Sequence, residues 1–244
     1  MALRPALPRI VLSRRWTNAI RRLLDEWLPP VLRESRPFAW AVKRWLGPAA
    51  RADFKYAAFR MTDQEFVVAN AAVAGAYALR DSDTTPAQMD WILRNIGEPG
   101  RKVLEIGPGA GAMTTKLRGS GHDVWTLDIY PGSTILQRVQ GTVERIPLPD
   151  KSFDVIVLAH VIEHSRSLTK AFLEMERVAR ERVLIVTPRQ RFFRWTFDYH
   201  LHFFYSGDHL ASHAPSGQTT AREIDGDICL IWDVSECGRE ALSV

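Results

Sequence analysis

The stretch that decides the fold runs from Val103 to Gly111 and reads Val-Leu-Glu-Ile-Gly-Pro-Gly-Ala-Gly. A short apolar run that leads straight into a glycine cluster predicts a buried strand, a tight turn and then a helix. Glycine at Gly107, Gly109 and Gly111 lets the backbone bend sharply and lets a ligand approach where no Cβ stands in the way. The helix that follows offers free N–H groups and the positive end of its dipole to a carboxylate. The sequence therefore predicts a ligand-binding turn at the end of a buried strand.

Two acidic residues lie near this turn in the sequence. Glu105 precedes the first glycine by two residues, and Asp128 ends the next predicted strand, 17 residues after Gly111. An acid at the tip of that strand can accept hydrogen bonds from both ribose hydroxyls. A carboxylate beside the turn does not favour a phosphate, but it does favour a cationic amine or sulfonium. Because Ala112 stands where a dinucleotide-binding turn has its third glycine, the pattern argues against a nicotinamide-dependent oxidoreductase.

Beyond Lys102, short β-rich runs alternate with helical patterns. The predicted strands cover residues 103–106, 123–127, 137–143, 153–158 and 182–186, and the predicted helices cover 111–119, 131–136 and 166–180. This alternation is typical of βαβ units, which form a parallel sheet with right-handed crossovers. Two further strands, 219–224 and 228–234, flank Asp225-Gly226 and predict a hairpin. The expected fold class is α/β: a Rossmann-like, doubly wound, mostly parallel sheet with a C-terminal antiparallel hairpin and an N-terminal helical extension.

The N-terminal part of the chain is basic and amphipathic. Residues 1–60 hold 13 Lys and Arg against 4 Asp and Glu, whereas the remaining 184 residues hold 19 against 24. Apolar residues recur there at spacings of three and four in two helical patterns: Trp16, Ile20, Leu23, Leu24, Trp27 and Leu28, then Phe38, Ala41, Val42, Trp45 and Leu46. Pro29-Pro30 separates the two patterns, because proline cannot continue a helix. We expect a basic amphipathic helical extension over 1–60 and one α/β domain over 61–244.

Residues 62–96 are predicted to be helical as well. Thr62 and Glu65 form a capping-box signature ahead of an apolar stretch. That stretch, residues 66–79, is shorter than the roughly 18–20 residues needed to span a bilayer, so it predicts a buried helix. Pro86 begins another helix, which continues to Ile96.

Two interpretations of the N-terminal extension stay open. Trp and Leu at helical spacing are more often core residues, in which case the extension packs as a cap. Alternatively, residues 10–46 form a basic amphipathic surface that makes peripheral contact with an anionic membrane. The residues behind the second interpretation are Trp16, Trp27, Arg14, Arg15, Arg21 and Arg22. An arginine-rich start without acids also resembles an organellar transit peptide. The two cysteines lack CxxC spacing, which predicts reduced thiols and no metal site. We expect a cytoplasmic protein, which would be peripheral at a membrane surface if residues 10–46 contact the bilayer.

Three motifs together resemble the class I S-adenosylmethionine-dependent methyltransferases. They are VLEIGPGAG from Val103, TLD ending at Asp128, and ERIPLPDKSFDVIVLAHVIEH over 144–164. The resemblance covers about residues 101–188, and more loosely through 234, and points to the subgroup that includes quinone and other small-molecule methyltransferases. It implies S-adenosylmethionine as the cofactor and makes 61–244 the methyltransferase domain.

The resemblance also implies where the cofactor contacts lie. Glu105, Gly107, Gly109 and Gly111 would lie under the methionine part, Asp128 at the ribose, Thr142 and Val143 beside the adenine, and His160 along the methionine side. Family members often carry Asp where this chain has Thr142, whereas Val143 would contact the ring through its backbone N–H.

A segment rich in histidine and aromatic residues, 198–205, follows the fifth strand, where this fold places acceptor-binding loops. His200 or His202 is expected to deprotonate an acceptor hydroxyl, the alternative being a structural role. The expected function is methyl transfer to a small-molecule, lipid or saccharide acceptor. A catalytically inactive scaffold or regulatory protein that binds S-adenosylmethionine is the alternative. The acidic α/β domain, without a base-flipping motif, argues against a nucleic-acid acceptor.

Overall fold

The computed structural model describes residues 23–46, 54–77, 84–129, 137–192 and 199–234. The chain divides into two compact units, Met1–Leu79 with Gln190–Leu201 and Arg80–Arg189 with His202–Val244. The expected division into 1–60 and 61–244 stays a prediction. The predicted helix over 131–136 and the predicted membrane-contact residues 10–22, which include Trp16 and four arginines, lie outside the described residues.

The regular elements that the structure describes in the first compact unit are helices. Its elements are a π-helical turn at Leu23–Trp27, α1 (Pro30–Arg33), α2 (Arg36–Leu46), α3 (Phe54–Ala58) and α4 (Asp63–Tyr77). α1 begins at Pro30, because the fixed φ and missing N–H of proline suit the first position of a helix. The predicted capping box of α4 is confirmed: the Thr62 N–H donates to Glu65 Oε2 at 2.8 Å, and the Glu65 N–H donates to Thr62 Oγ1 at 3.3 Å.

A small apolar cluster packs inside this unit. Its buried members are Ala58, Phe66, Tyr199 and Leu201, with Met61 and Ala69 packed against them. Burial of the 66–79 helix is therefore confirmed at Phe66, but it is wrong at Val68, whose side chain is 64% exposed. Within the ranges that the structure describes, every helix is too short or too polar to traverse a lipid bilayer.

The second compact unit contains a seven-stranded sheet with helices. Its strands are β1 (Lys102–Ile106), β2 (Asp123–Asp128), β3 (Arg138–Gln140), β4 (Phe153–Ala159), β5 (Ala179–Pro188), β6 (Gln218–Ile224) and β7 (Asp227–Asp233). Its helices are α5 (Pro86–Ile96), α6 (Ala112–Gly119), a 3₁₀ turn at Ile162–His164, α7 (Leu168–Val178) and α8 (Gly207–Ala211). β3 is shorter than the predicted strand over 137–143, and β5 is longer than the predicted strand over 182–186.

The strand order is β3-β2-β1-β4-β5-β7-β6. The first five strands in this order run parallel, whereas β7 is antiparallel to both of its neighbours. Asp225 and Gly226 join β6 to β7 with φ values of 53° and 84°. A two-residue hairpin loop needs positive φ at both positions to match the right-handed twist of the strands. The predicted Rossmann-like fold is thus confirmed. Because the strand order reverses between β1 and β4, the ligand crevice is expected at their carboxyl ends.

Apolar residues cover both faces of the sheet, as parallel strands require. Leu104 and Ile106 of β1 face a core that contains Phe172 and Met175 of α7. The opposite core includes Val103 and residues of α5 and α6. Because side chains alternate along a strand, Glu105 points to the same face as Val103. Its carboxyl group therefore lies on the face of the sheet that is covered by α5 and α6.

We expect Phe172→Ala to lower the free energy of unfolding by about 3–5 kcal/mol. The ring is fully buried and its centroid lies 5.5 Å from that of Trp232, so truncation leaves a cavity between α7 and β7. Urea denaturation of the full chain measures the change. The adjacent Leu173→Ala is the matched control, because that side chain is 49% exposed and its loss should change the free energy by only about 0.5 kcal/mol. Equal losses would contradict the packing described above.

Candidate functional site

The glycine turn after β1 adopts a backbone that L side chains rarely reach. The Gly107 N–H donates to the Leu127 carbonyl at 2.8 Å, and the φ of Gly107 is 71°. A Cβ on Gly107 would collide with Val161 Cγ2, so the turn is closed on that side. A Cβ on Gly109, at φ 53°, would meet nothing within 4 Å. The turn is therefore open at Gly109, where a ligand can approach the backbone.

Gly111 completes the turn as the N-cap of α6. Its φ of 85° is left-handed, and its N–H donates to the Pro108 carbonyl at 2.8 Å. The first turn of α6 carries Thr114, which the sequence analysis did not identify as a site residue. Its position follows from the turn, because Thr114 lies in the helix that the glycines start.

Glu105 is fully buried beneath this turn. Its Oε2 accepts a hydrogen bond from Thr114 Oγ1 at 2.5 Å, while Oε1 has no hydrogen-bond partner among the described residues. Burial raises the pKa of the Glu105 carboxyl to about 7, although the Thr114 hydrogen bond opposes the rise. Its register partner on β2, Thr126, is also buried, and its Oγ1 lacks a partner within the described ranges. A buried carboxyl with an unsatisfied oxygen favours a cationic or hydrogen-bond-donating ligand.

Asp128 lies at the end of β2, as predicted. Its Oδ2 lies 3.2 Å from Arg138 Nη2, and both side chains are largely buried. The Asp128 carbonyl accepts the Gly141 N–H at 3.0 Å, which fixes the start of the next loop. No local sequence pattern predicts Arg138 as a site residue, because the pairing joins residues of two neighbouring strands. A ribose bound at Asp128 would share the carboxylate with this guanidinium.

The predicted adenine loop follows β3. The Thr142 carbonyl accepts the Arg145 N–H at 3.1 Å, and Thr142 is half-buried. The side chain of Val143 packs into the core beside Ile146. This placement leaves only the backbone of Val143 for a ligand, in keeping with the role expected of it. The adenine contact itself stays a prediction for both residues.

His160 follows β4 in the left-handed conformation, with φ 57°. Its N–H donates to the Val186 carbonyl at 2.8 Å. Its ring lies between two buried carboxylates: Nδ1 is 3.6 Å from Glu163 Oε1, and Nε2 is 3.5 Å from Asp227 Oδ2. A non-glycine residue held at positive φ costs conformational energy, and such residues cluster at functional sites. The geometry gives His160 a defined place at the carboxyl end of β4.

The two carboxylates beside His160 are held by neutral side chains. Thr187 Oγ1 donates to Glu163 Oε2 at 3.1 Å, and Gln88 Nε2 donates to Asp227 Oδ2 at 2.8 Å. Gln88 belongs to α5 and Thr187 to β5, so the cluster connects several elements of the second unit. Sequence reasoning missed Asp227 and Gln88, because no local pattern signals a contact across 139 residues.

The two candidate bases lie in different compact units. His200 belongs to the first, where its Nδ1 is 2.7 Å from Gln190 Oε1. His202 belongs to the second, where its backbone N–H donates to the Glu163 carbonyl at 3.0 Å. Burial lowers the pKa of the His202 imidazole, and nearby His213 lowers it further, although a hydrogen bond to the Ser165 backbone opposes this. A role as base stays a prediction for both.

Comparison with known proteins agrees with this geometry. Residues 104–187 match a family model described as a methyltransferase domain. This part of the chain is a class I S-adenosylmethionine-dependent methyltransferase domain. An uncharacterized methyltransferase of Mycobacterium tuberculosis is 32% identical to the chain over 105 residues, which is 38% of this chain and 42% of that protein. The chain spans about half the length of the curated relatives it matches.

Two further matches extend the comparison of the methyltransferase domain. The malonyl-[acyl-carrier protein] O-methyltransferase of Serratia marcescens is 28% identical over 137 residues, covering 49% of this chain and 53% of the relative. The solved structure of the carbon methyltransferase CurJ has a TM-score of 0.52 and 14% identity, covering 72% of this chain and 61% of that one. At this identity the second match shows the fold alone.

Class I methyltransferases use S-adenosylmethionine as the methyl donor, and the described residues fit this cofactor. The unsatisfied Glu105 oxygen fits a cationic amino-acid group, and the open face at Gly109 admits a ligand against the backbone. The Glu105 carboxylate, which is not paired with a cation at this turn among the described residues, would repel the phosphates of a dinucleotide. We therefore expect the methyltransferase domain to bind an amino-acid nucleoside at this turn.

We expect Gly109→Ala to weaken S-adenosylmethionine binding by more than about tenfold, because the new Cβ enters the open face of the turn at a positive φ. Calorimetric titration measures the affinity. Gly100→Ala is the matched control: Gly100 also has positive φ and open space around its Cβ position, but it precedes β1. Both variants should lose similar stability in thermal unfolding, and only Gly109→Ala should lose affinity. Equal affinities would contradict the placement of the ligand.

We expect S-adenosylmethionine binding to release about half a proton at pH 7, because a carboxyl with a pKa near 7 is half protonated there and a cationic ligand favours the ionised form. Affinity should rise as the pH rises from 6 through about 7, since more of the carboxyl is then ionised. Calorimetry in two buffers of different ionisation enthalpy measures the proton release. Glu105→Gln should abolish both effects. Retention of both by this variant would remove Glu105 from the site.

Proposed function

We propose that this chain transfers the methyl group of S-adenosylmethionine to a small-molecule, lipid or saccharide acceptor. The observation that carries the proposal is the buried Glu105 carboxyl, which has one unsatisfied oxygen at an open glycine turn. This arrangement suits the cationic amino-acid part of S-adenosylmethionine and not a phosphate. The acidic balance of residues 61–244 supports an acceptor other than a nucleic acid.

In the proposed reaction the protein contributes mainly position. S-adenosylmethionine, when bound, supplies a methyl group already activated by its sulfonium. The turn from Gly107 to Gly111 would hold the amino-acid part through its backbone, and Glu105 would compensate the positive charge. Asp128, oriented by Arg138, would hold the ribose. Holding the acceptor in line with the methyl group and excluding water then account for most of the rate.

A base is needed only where the acceptor must lose a proton. For His202, burial lowers the pKa and so favours the neutral imidazole, which can accept a proton at neutral pH. For His200, the contact of Nδ1 with the Gln190 carbonyl oxygen favours the tautomer with its proton on Nδ1, which places the lone pair on Nε2. These features support both residues as candidates for the base.

The matched relatives support a broad acceptor search. The Serratia relative is named for O-methylation of a malonyl group on a carrier protein. An acyl group on a carrier protein therefore joins the lipids, quinones and saccharides to be tested. Peripheral membrane contact through residues 10–46 belongs to the same proposal, because an amphiphilic acceptor is reached at a bilayer surface.

The test is methyl transfer by the purified full chain from radiolabelled S-adenosylmethionine to lipid, quinone, saccharide and acyl-carrier fractions. We expect label in one fraction. His200→Ala or His202→Ala should lower turnover about 10²- to 10⁴-fold if the acceptor is a hydroxyl, with cofactor affinity unchanged. His122→Ala is the control, because His122 precedes β2, at the edge of the sheet opposite the carboxyl ends, and should leave turnover unchanged.

Two outcomes would contradict the proposal, and they differ from each other. Tight cofactor binding without label in any fraction would favour the inactive scaffold, which has no need of an acceptor site. Failure to bind S-adenosylmethionine or its demethylated product at millimolar concentration would remove the enzyme assignment itself.

A further inference from the structure

The loop that follows β3, residues 141–151, is held against α7 by two charged side chains. Glu174 Oε2 accepts the Ile146 N–H at 2.8 Å. Arg177 Nη2 donates to the Ile146 carbonyl at 2.9 Å, and Nη1 donates to the Leu148 carbonyl at 2.8 Å. Glu174 and Arg177 form the 174–177 pair. One turn of α7 thus binds both backbone polar groups of Ile146 and the carbonyl two residues later.

Arg177 has five N–H donors, and each has an acceptor. Besides the two loop carbonyls, Nη1 donates to Asp150 Oδ1 at 2.7 Å, and Nε and Nη2 donate to the two Glu174 oxygens at 2.8 Å each. The planar guanidinium fixes these directions, whereas lysine carries a point charge on a flexible stem. The Arg177 hydrogen bond lowers the pKa of the Glu174 carboxyl, which therefore stays ionised at neutral pH. The 174–177 pair accordingly selects one conformation of the loop.

The loop backbone that the pair holds lies beside the end of β2. The Gly141 N–H donates to the Asp128 carbonyl, and the side chain of Val143 is buried in the core. The next residue, Glu144, accepts the Arg166 N–H through Oε1 at 2.6 Å. Contacts on both sides of Val143 therefore fix its backbone, which is the part of this residue expected to contact the adenine.

We propose that Glu174 and Arg177 are positioning residues for the cofactor, which hold the 142–148 backbone in the shape that hydrogen-bonds the adenine ring. A mobile loop would have to be ordered when the ligand binds, at a cost in conformational entropy, whereas a loop already held loses little. The pair acts through the loop and needs no contact with the cofactor or the acceptor. The inference rests on the proposed function, and it adds a determinant of which base the site accepts.

The test compares two ligands that differ only in the base. S-adenosylhomocysteine, the demethylated cofactor, carries adenine, whose ring N1 accepts a hydrogen bond. S-inosylhomocysteine carries hypoxanthine, whose N1 bears a hydrogen and cannot accept from a backbone N–H. We expect the unaltered full chain to bind the adenine ligand at least about tenfold tighter in calorimetric titration, because a site built to donate to the ring rejects an analogue that cannot accept.

Arg177→Ala and Arg177→Lys should both lower this preference to about threefold or less, because neither side chain can bridge the loop carbonyls and Glu174. Arg177→Lys keeps the positive charge and carries the test if truncation prevents folding. Arg182→Ala is the matched control, because the Arg182 and Arg177 side chains are 34% and 31% exposed. Arg182 Nε donates to Asp233 Oδ1 at 2.6 Å, and Nη1 donates to the Asn95 carbonyl at 2.9 Å. This variant should keep the full preference, whatever stability it loses.

The outcomes distinguish positioning from folding and from the proposed function. Thermal unfolding midpoints measure stability, whereas the ratio of the two affinities cancels any loss that both ligands share. An unchanged ratio in both Arg177 variants would leave the pair as a stabiliser of the fold and overturn the inference. An equal fall of the ratio in Arg182→Ala, or no preference for adenine in the unaltered chain, would overturn it too. If the unaltered chain binds neither ligand, the proposed function itself fails and the inference fails with it.

Discussion

The hydrogen bond from the Gly107 N–H to the Leu127 carbonyl ties the end of β1 to the end of β2. At the same point Val161, which follows β4, occupies the space that a side chain on Gly107 would need. Three neighbouring strands thus fix one backbone bend. The direction of α6, the burial of Glu105 and the open face at Gly109 all depend on this bend, because each is set by where the chain leaves β1.

The buried carboxyl groups near the carboxyl ends of the strands are compensated in different ways. Asp128 pairs with Arg138, and Glu163 and Asp227 receive hydrogen bonds from Thr187 and Gln88. Glu105 receives one hydrogen bond, from Thr114, and keeps an unsatisfied oxygen. Incomplete compensation is costly in a folded protein unless a ligand completes it. Because Glu105 lies in the strand that leads into the open glycine turn, we expect its unsatisfied oxygen to receive the cationic part of a ligand bound there.

The two compact units carry different surface chemistry. The second unit buries its apolar residues on both faces of a sheet, whereas the first exposes tryptophan and aliphatic side chains along its helices. This contrast follows the charge of the sequence, in which basic residues concentrate before residue 60.

The sequence by itself determined the order of strands and helices, the glycine turn, the hairpin at Asp225-Gly226 and the capping box at Thr62, because each depends on local periodicity or on the φ preference of single residues. Only the tertiary structure decided that Asp128 meets Arg138, that His160 lies between Glu163 and Asp227, and that Trp27 is exposed and not buried. These features depend on contacts between residues far apart in the chain, and burial depends on which surfaces pack together; neither leaves a local pattern in the sequence.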